Sequence, residues 1–275
     1  MLLTVYSQLP AIAAGALLHP WRRAVSDSTP PGCHDVTYQG AGVSLTGLQC
    51  DAAAARRGAL ILLHGIADNR GSISGVVARF AKRGLTVVAY DSRAHGNSGG
   101  TACTYGYFEK DDLRRVIDSL ASKPVVLLGT SLGAAVALQE AADDPRVAGV
   151  VAAEVFSDLR TVARERAPFV LSDSVINRAF TIAEERGQFR IDAVDVTAAA
   201  RRMTRPVLLV HGADDSDTRP DHSRRVYEAL AGPKGLILVP GAGHNESLSK
   251  GETWDRIERW IDELIGVTSQ ASMRH

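Results

Sequence analysis

The sequence predicts an α/β fold in which a mostly parallel sheet carries helices on both faces. Three observations predict it. Short continuous apolar runs alternate with amphipathic stretches from Ala59 onward, the pattern of a parallel sheet wound with helices. A strand-like run, Val125 to Leu128, leads through Gly129-Thr130-Ser131-Leu132-Gly133 into an Ala-rich helical run, Ala134 to Ala142. One long stretch, Ser157 to Met203, breaks the alternation and holds no clear strand of its own.

Taken in order, Leu2 to Leu18 is apolar but interrupted by Ser7, Gln8 and Pro10. No basic residue precedes it, and Arg22-Arg23 follow it, so it makes a poor signal peptide and too broken a spanning helix. It fits an interfacial helix, a trimmed anchor, or a helix packing on the fold. Peripheral membrane contact through this segment is one expectation. His34 to Gly40 and Val43 to Cys50 alternate polar and apolar around Gly40-Ala41-Gly42, an antiparallel hairpin. Asp51 to Gly58 is a polar, Ala-rich link. Ala59 to Leu63 has the unbroken apolar character of a strand buried on both faces. A helix follows, with Val76, Val77, Phe80 and Ala81 on one face and Gly84 as its stop.

Leu85 to Tyr90 is the next strand, and Asp91 to Gly100 is a loop rich in turn formers. Phe108 to Leu120 spaces Leu113, Val116, Ile117 and Leu120 as one helix face. Pro124 to Gly129, Val147 to Ala153, Pro206 to Val210 and Leu236 to Val239 are further strands. The last helix buries Trp254, Ile257, Trp260, Ile261, Leu264 and Ile265, with Gly266 as its cap. This divides the chain into an N-terminal segment (1–33), a core (34–156 and 204–266), an insertion (157–203) and a tail (267–275). The insertion carries helix-like pieces at Leu159–Ala167, Ser174–Arg186 and Ala193–Arg202. Stretches of this length usually have a task, and we expect a small helical cap over the site.

Composition excludes several classes of function. Among 275 residues, Lys plus Arg and Asp plus Glu are each 31, so net charge is zero. The arginine pairs (Arg22-Arg23, Arg56-Arg57, Arg114-Arg115, Arg201-Arg202, Arg224-Arg225) are scattered rather than striped, which argues against nucleic-acid binding. Cys33, Cys50 and Cys103 cannot form a disulfide framework. Cys33 and Cys50 flank the hairpin and are close enough in sequence to pair, but reduced thiols are the expectation. No C-x-x-C and no zinc-spaced His pair is present. Asp214-Asp215-Ser216-Asp217 lacks the glycine and distant glutamate of a calcium loop. No metal or cofactor is expected.

G-x-S-x-G at a strand-to-helix turn is a nucleophile elbow. The turn is tight, so the positions two away from the serine must carry almost no side chain. A serine hydroxyl needs a base within hydrogen-bond reach, and the base needs an orienting acid. In chain order these are Ser131, then an acid, then a histidine. Asp214, Asp215 and Asp217 all follow the strand ending at Val210. His244 follows the last strand, in a loop of small residues, Gly241-Ala242-Gly243. His64, His95 and His211 adjoin glycines at strand ends and read as loop-shaping residues. His222 reads as part of a helix face, and His19, His34 and His275 carry no signal. The oxyanion needs two backbone donors. Leu132, after the nucleophile, is one. Ile66 is the other, with Ala67 second.

Five stretches carry a resemblance: His64-Gly65-Ile66-Ala67, Asp91 through Ser98, Gly129 through Gly133, His211 through Asp215, and Gly243-His244-Asn245. Together they resemble the α/β-hydrolase superfamily, from about Val36 to Ile265. The chain looks like the bacterial serine-hydrolase groups with an Asp-x-Arg-x-His-Gly-x-Ser loop and a short cap. The resemblance implies that the acid stands three residues after the glycine of His211-Gly212, which selects Asp215. It implies an esterase, thioesterase or peptidase-like hydrolase. A serine at the elbow argues against epoxide hydrolases and dehalogenases, and the missing run of glycines argues against large triglycerides.

The leading expectation is a cofactor-free serine hydrolase acting on a small carboxylic ester through Ser131, His244 and Asp215, with Ile66 and Leu132 as oxyanion donors. A peptidase or amidase with the same triad is the second reading. A ligand-binding or scaffold protein on a hydrolase fold is the third. Phe156, Phe169, Phe180 and Phe189 lie in or beside the cap and predict a modest apolar pocket suited to acyl chains of ~2 to 8 carbons. A cytoplasmic location is favoured, with membrane association as the alternative.

Overall fold

The computed structural model describes residues 2–25, 29–53 and 57–272. Met1, Arg56 of the Arg56-Arg57 pair, and the last three residues of the tail, His275 included, lie outside them.

Eight strands form one sheet: β1 (Cys33–Gln39), β2 (Ser44–Cys50), β3 (Gly58–Leu63), β4 (Leu85–Tyr90), β5 (Val125–Thr130), β6 (Val147–Ala153), β7 (Val207–Gly212) and β8 (Lys234–Val239). Their spatial order is β1-β2-β4-β3-β5-β6-β7-β8. The hairpin β1–β2 and its junction with β4 are antiparallel, and β3 to β8 run parallel. The apolar strands obey the two-residue period of an extended chain. On β3, Ala59, Ile61 and Leu63 enter one core, and Leu60 and Leu62 enter the other. On β5, Val125 and Leu127 face the first core, and Val126 and Leu128 the second. Each fully buried leucine contributes about 1.5–3 kcal/mol. Cutting Leu127 back to alanine would cost about 2–5 kcal/mol once the cavity is counted.

Helices fill both faces. On the first, α3 (Glu109–Ser119) buries Leu113, Val116 and Ile117, and α4 (Leu132–Ala141) is buried along its whole length. α8 (Pro220–Ala229) adds Val226. The opposite face is covered by Val77 and Phe80 of α2 (Ser74–Ala81) and by Trp254, Ile257, Ile261 and Ile265 of α9 (Gly251–Ser272). Gly266 does not end α9, which runs on to Ser272. A helix-interior glycine costs only about 1 kcal/mol against alanine, too little to stop it.

Between β6 and β7 lie α5 (Leu159–Glu165), α6 (Asp173–Gly187) and α7 (Val196–Arg202). Asp158 caps α5 by accepting from Thr161 N–H at 2.7 Å, and Asp195 caps α7 from Ala198 N–H at 2.8 Å. Such caps satisfy donors the first turn leaves unpaired. The N-terminal run is a single helix, α1 (Leu2–Leu18), with Pro10 inside it. α1 packs on α6 and buries Ala14 and Leu18. Its last carbonyls are satisfied from elsewhere in the chain: Cys103 N–H donates to Leu18 O at 2.8 Å and the Tyr105 hydroxyl to Leu17 O at 3.0 Å.

The expectation of reduced thiols at the hairpin is corrected. Cys33 and Cys50 are disulfide-bonded, while Cys103 is free and buried. The reason is register. Cys33 begins β1, Cys50 ends β2, and the ladder pairs them directly across the two strands. Among the described residues, no helix is long and apolar enough to cross a membrane.

Candidate active site

Strand order reverses around β3, with β4 on one side and β5 on the other. Ligands of open α/β sheets bind at that switch point, outside the carboxyl ends of the strands. The loops after β3 and β5 meet there. Ser131 follows β5 and caps α4 with φ 48° and ψ −109°, a conformation few side-chain-bearing residues adopt. It is held by its own N–H donating to Ala153 O at 2.8 Å and its carbonyl accepting from Ala135 N–H at 3.1 Å. The flanking glycines are sterically required. A Cβ on Gly129 would stand 2.3 Å from the Gly133 carbonyl carbon, and one on Gly133 would stand 2.3 Å from Leu63 O. The Ser131 hydroxyl makes no hydrogen bond to another described residue. The N–H groups of Ile66 and Leu132 are likewise not engaged by any described acceptor. The loop after β3 is fixed by the buried His64 ring. Its Nδ1 donates to Gly65 O at 2.7 Å and its Nε2 accepts from Ser92 N–H at 3.0 Å.

Asp215 and His244 come from the loops after β7 and β8. These loops touch through Gly212, where a Cβ would stand 2.4 Å from Ala242 O. Asp215 is buried, while Asp214 and Asp217 are exposed. Asp215 Oδ2 lies 2.7 Å from His244 Nδ1. Its Oδ1 accepts from the N–H groups of Asp217 and Thr218, at 2.9 and 2.8 Å. His211 Nε2 stands 3.2 Å from Oδ2 and also donates to Thr218 O at 2.7 Å. Burial alone would raise the Asp215 pKa. The hydrogen bonds from His211, His244 and Thr218 outweigh it and hold the carboxyl well below the usual range. A carboxylate only accepts, so His244 Nδ1 carries the proton and Nε2 presents its lone pair. In this structure that lone pair faces Arg166, whose Nη2 lies 3.2 Å away.

Ser131 and Arg166 both line a cavity of about 510 Å³. Its walls are Ile66, Leu132 and Phe156 from the core, Val162, Ile176 and Phe180 from the insertion, and Leu9, Ile12, Ala13 and Leu17 from α1. The insertion and α1 together supply much of the cavity's wall. Of the four phenylalanines expected near it, Phe156 and Phe180 line it, Phe189 is buried in the core, and Phe169 is fully exposed. Among the described residues, no group of three or more His, Cys, Asp or Glu is placed to hold a metal ion.

Residues 60–257 match the profile of the alpha/beta hydrolase family. The chain belongs to that family. It is 30% identical to the uncharacterized protein YqkD of Bacillus subtilis over 221 residues, covering 76% of this chain and 72% of that one. The Pyrococcus furiosus esterase Pf2001 superposes with a TM-score of 0.72 at 23% identity, covering 90% of this chain and 99% of that one. Acetyl xylan esterase 1 from Thermoanaerobacterium superposes with a TM-score of 0.67 at 21% identity, covering 94% and 93%. At these identities the two esterases are likenesses of fold.

Two further polar clusters of this alpha/beta hydrolase escaped the sequence reading. His222 is buried, with Nε2 at 3.0 Å from Glu165 Oε2 and Nδ1 at 2.9 Å from Ser157 Oγ. It resembles a second serine–histidine–acid row. However, the Ser157 hydroxyl also lies 2.9 Å from the Asp158 carboxylate, and Ser157 N–H donates to Nδ1 at 3.1 Å. The ring thus ties Ser157 and Glu165 of the insertion to α8. Glu154, just past β6, is buried with φ 48° and accepts from the Ser247 hydroxyl. Arg166 was also missed, since it belongs to no motif and only the folded chain brings α5 to the β8 loop.

Proposed function

We propose that this alpha/beta hydrolase is a serine esterase that cleaves carboxylic esters of short to medium acyl chains through an acyl-enzyme intermediate. The backbone of Ser131 carries the reading. A side-chain-bearing residue at positive φ costs on the order of 1–3 kcal/mol, and such strain gathers at functional sites. Here it lifts a hydroxyl without a described hydrogen-bond partner to the wall of an apolar cavity. The His244–Asp215 pair on neighbouring loops supports the same reading, and so do the esterases among proteins of similar fold.

In this scheme Ser131 Oγ attacks the carbonyl carbon while His244 Nε2 takes its proton. Asp215 holds the Nδ1 proton and stabilises the imidazolium. The Ile66 and Leu132 N–H groups take up the oxyanion charge, the latter helped by the N-terminal end of α4. The imidazolium then returns the proton to the departing alcohol oxygen. In the second half, Nε2 deprotonates water, which attacks the acyl-enzyme and releases the acid and a free Ser131. No step needs a cofactor. The cavity matches the roughly 300–1,000 Å³ typical of small-ligand sites, which favours a modest acyl group.

A fluorophosphonate probe should label Ser131 and leave Ser131→Ala unlabelled. The same variant should fold normally and lose several orders of magnitude in ester hydrolysis, since triad members act as a unit. Ordinary turnover by the folded variant would overturn the reading.

A further inference from the structure

Arg166 follows α5 and reaches the loops that carry the acid and the base. Its Nε donates to Asp217 O at 3.0 Å, and its Nη2 to Thr218 Oγ1 at 2.5 Å and to His244 Nε2 at 3.2 Å. Arg166 is exposed to solvent, and two properties of its guanidinium bear on the site. No carboxylate among the described residues pairs with it, and the two N–H groups of Nη1 have no described acceptor. It is also the one charged side chain among the described residues that line the cavity.

The contact with Nε2 has a chemical cost. That lone pair is the one Ser131 needs, so with the guanidinium donating to it the base is occupied. Turnover requires something that draws Arg166 away. A neutral ester offers the guanidinium nothing better than the imidazole. An anionic oxygen does, because charge-assisted hydrogen bonds to a guanidinium are shorter and stronger than neutral ones and are often two-pronged.

Position decides which half of the substrate carries the charge. Resting on the reading of Ser131, His244 and Asp215 given above, Nε2 passes its proton to the leaving oxygen. A group 3.2 Å from Nε2 therefore stands beside the leaving alcohol. The acyl chain enters the apolar cavity instead. We propose that Arg166 is the substrate's anion receptor, and that the substrate joins an apolar acyl chain to an alcohol bearing a carboxylate or phosphate close to the ester oxygen. Engaging that anion releases His244, so binding of the right alcohol frees the base.

Three hexanoyl esters test this: hexanoyloxyacetate, its neutral isostere hexanoyloxyacetamide, and 2-phosphoethyl hexanoate. Release of hexanoic acid is followed with wild type, Arg166→Gln and Arg166→Lys, with fluorophosphonate labelling of Ser131 and a thermal melt run on each protein. Wild type should favour at least one anionic ester over the amide by roughly ten- to a hundredfold in kcat/KM. Which anion wins distinguishes carboxylate from phosphate. In Arg166→Gln the preference should vanish, with the anionic ester turned over more slowly and the neutral amide faster, because the guanidinium no longer occupies His244 Nε2. Arg166→Lys, which keeps the charge but not the fork, should retain part of the preference. Equal slowing of charged and neutral esters by Arg166→Gln would make Arg166 a mere prop for the loop and overturn the proposal. So would a wild type that labels at Ser131 yet shows no charge preference. A wild type whose Ser131 does not label would instead sink the serine esterase reading, and this proposal with it.

Discussion

Asp215 meets His244 from behind: the carboxylate Oδ2 lies 2.7 Å from Nδ1, and two backbone N–H groups hold the other oxygen in place. Asp215→Asn would present a donor where the imidazole needs an acceptor and so favour the wrong tautomer. In serine proteases the equivalent change costs about four orders of magnitude, and a loss of roughly three to four orders is expected here. Asp214→Asn and Asp217→Asn should cost far less, since both carboxylates are exposed. Turnover of one ester by the three variants checks this. A dead Asp214→Asn or Asp217→Asn beside an active Asp215→Asn would reassign the acid.

Ala13 places a methyl group of α1 in the wall of the cavity. Ala13→Trp should fill space that a longer acyl chain occupies and leave room for an acetyl group. The ratio of kcat/KM for octanoyl against acetyl esters should fall by roughly tenfold or more. An unchanged ratio would show that the chain lies elsewhere.

The Cys33–Cys50 bridge closes a short loop, with a sequence separation of 17, at the edge of the sheet. Replacing both cysteines by serine should lower unfolding free energy by about 3 kcal/mol, the loss expected for a loop of this size. Ester hydrolysis should hardly change, because β2, β4 and β3 separate β1 from β5. Urea titrations with and without dithiothreitol check it. Reductant should shift the wild type and not the double variant.

Burial raises the Glu154 carboxyl above its ordinary value of 4.5, although the Ser247 hydroxyl and the nearby His211 and His244 pull it down. Its Oε2 has no partner among the described residues. From 4.5 up to the raised value, the folded state holds a proton that the unfolded chain has lost. Stability therefore falls as pH rises through that window. Glu154→Gln cannot ionise, so the wild type should lose Tm relative to it as pH rises above 4.5, through the window between the ordinary and the raised value. A Tm difference that stays constant through that window would show that Glu154 ionises in the folded state as readily as in the unfolded chain, so that burial does not raise it.

The strands were legible because β3 to β7 are apolar on both sides, and a run such as Ala59 to Leu63 is too short for a core helix and too apolar for a surface loop. Ser131, Asp215 and His244 were nameable because each lies within a few residues of a strand's carboxyl end, so local sequence places it at that edge of the sheet. The disulfide depended on a register that alternation alone does not set. Arg166 and α1 depended on partners far along the chain: 78 residues separate Arg166 from His244, and 88 separate Leu17 from Tyr105. Phe169 looked like a pocket residue by composition, but it sits in the turn between α5 and α6 and faces solvent.

α1 is synthesised before every element it packs on. Tyr105 and Cys103 must emerge before its end is capped, and α6 comes later still. At roughly 5–20 residues per second, about eight to thirty seconds pass between the ribosome completing α1 and reaching α6. Through that interval an apolar helix has no native surface to cover it. The cavity wall it supplies is thus made first and seated late, and in that interval the nascent chain is open to capture by chaperones, or by other nascent chains, through the segment that later lines the cavity.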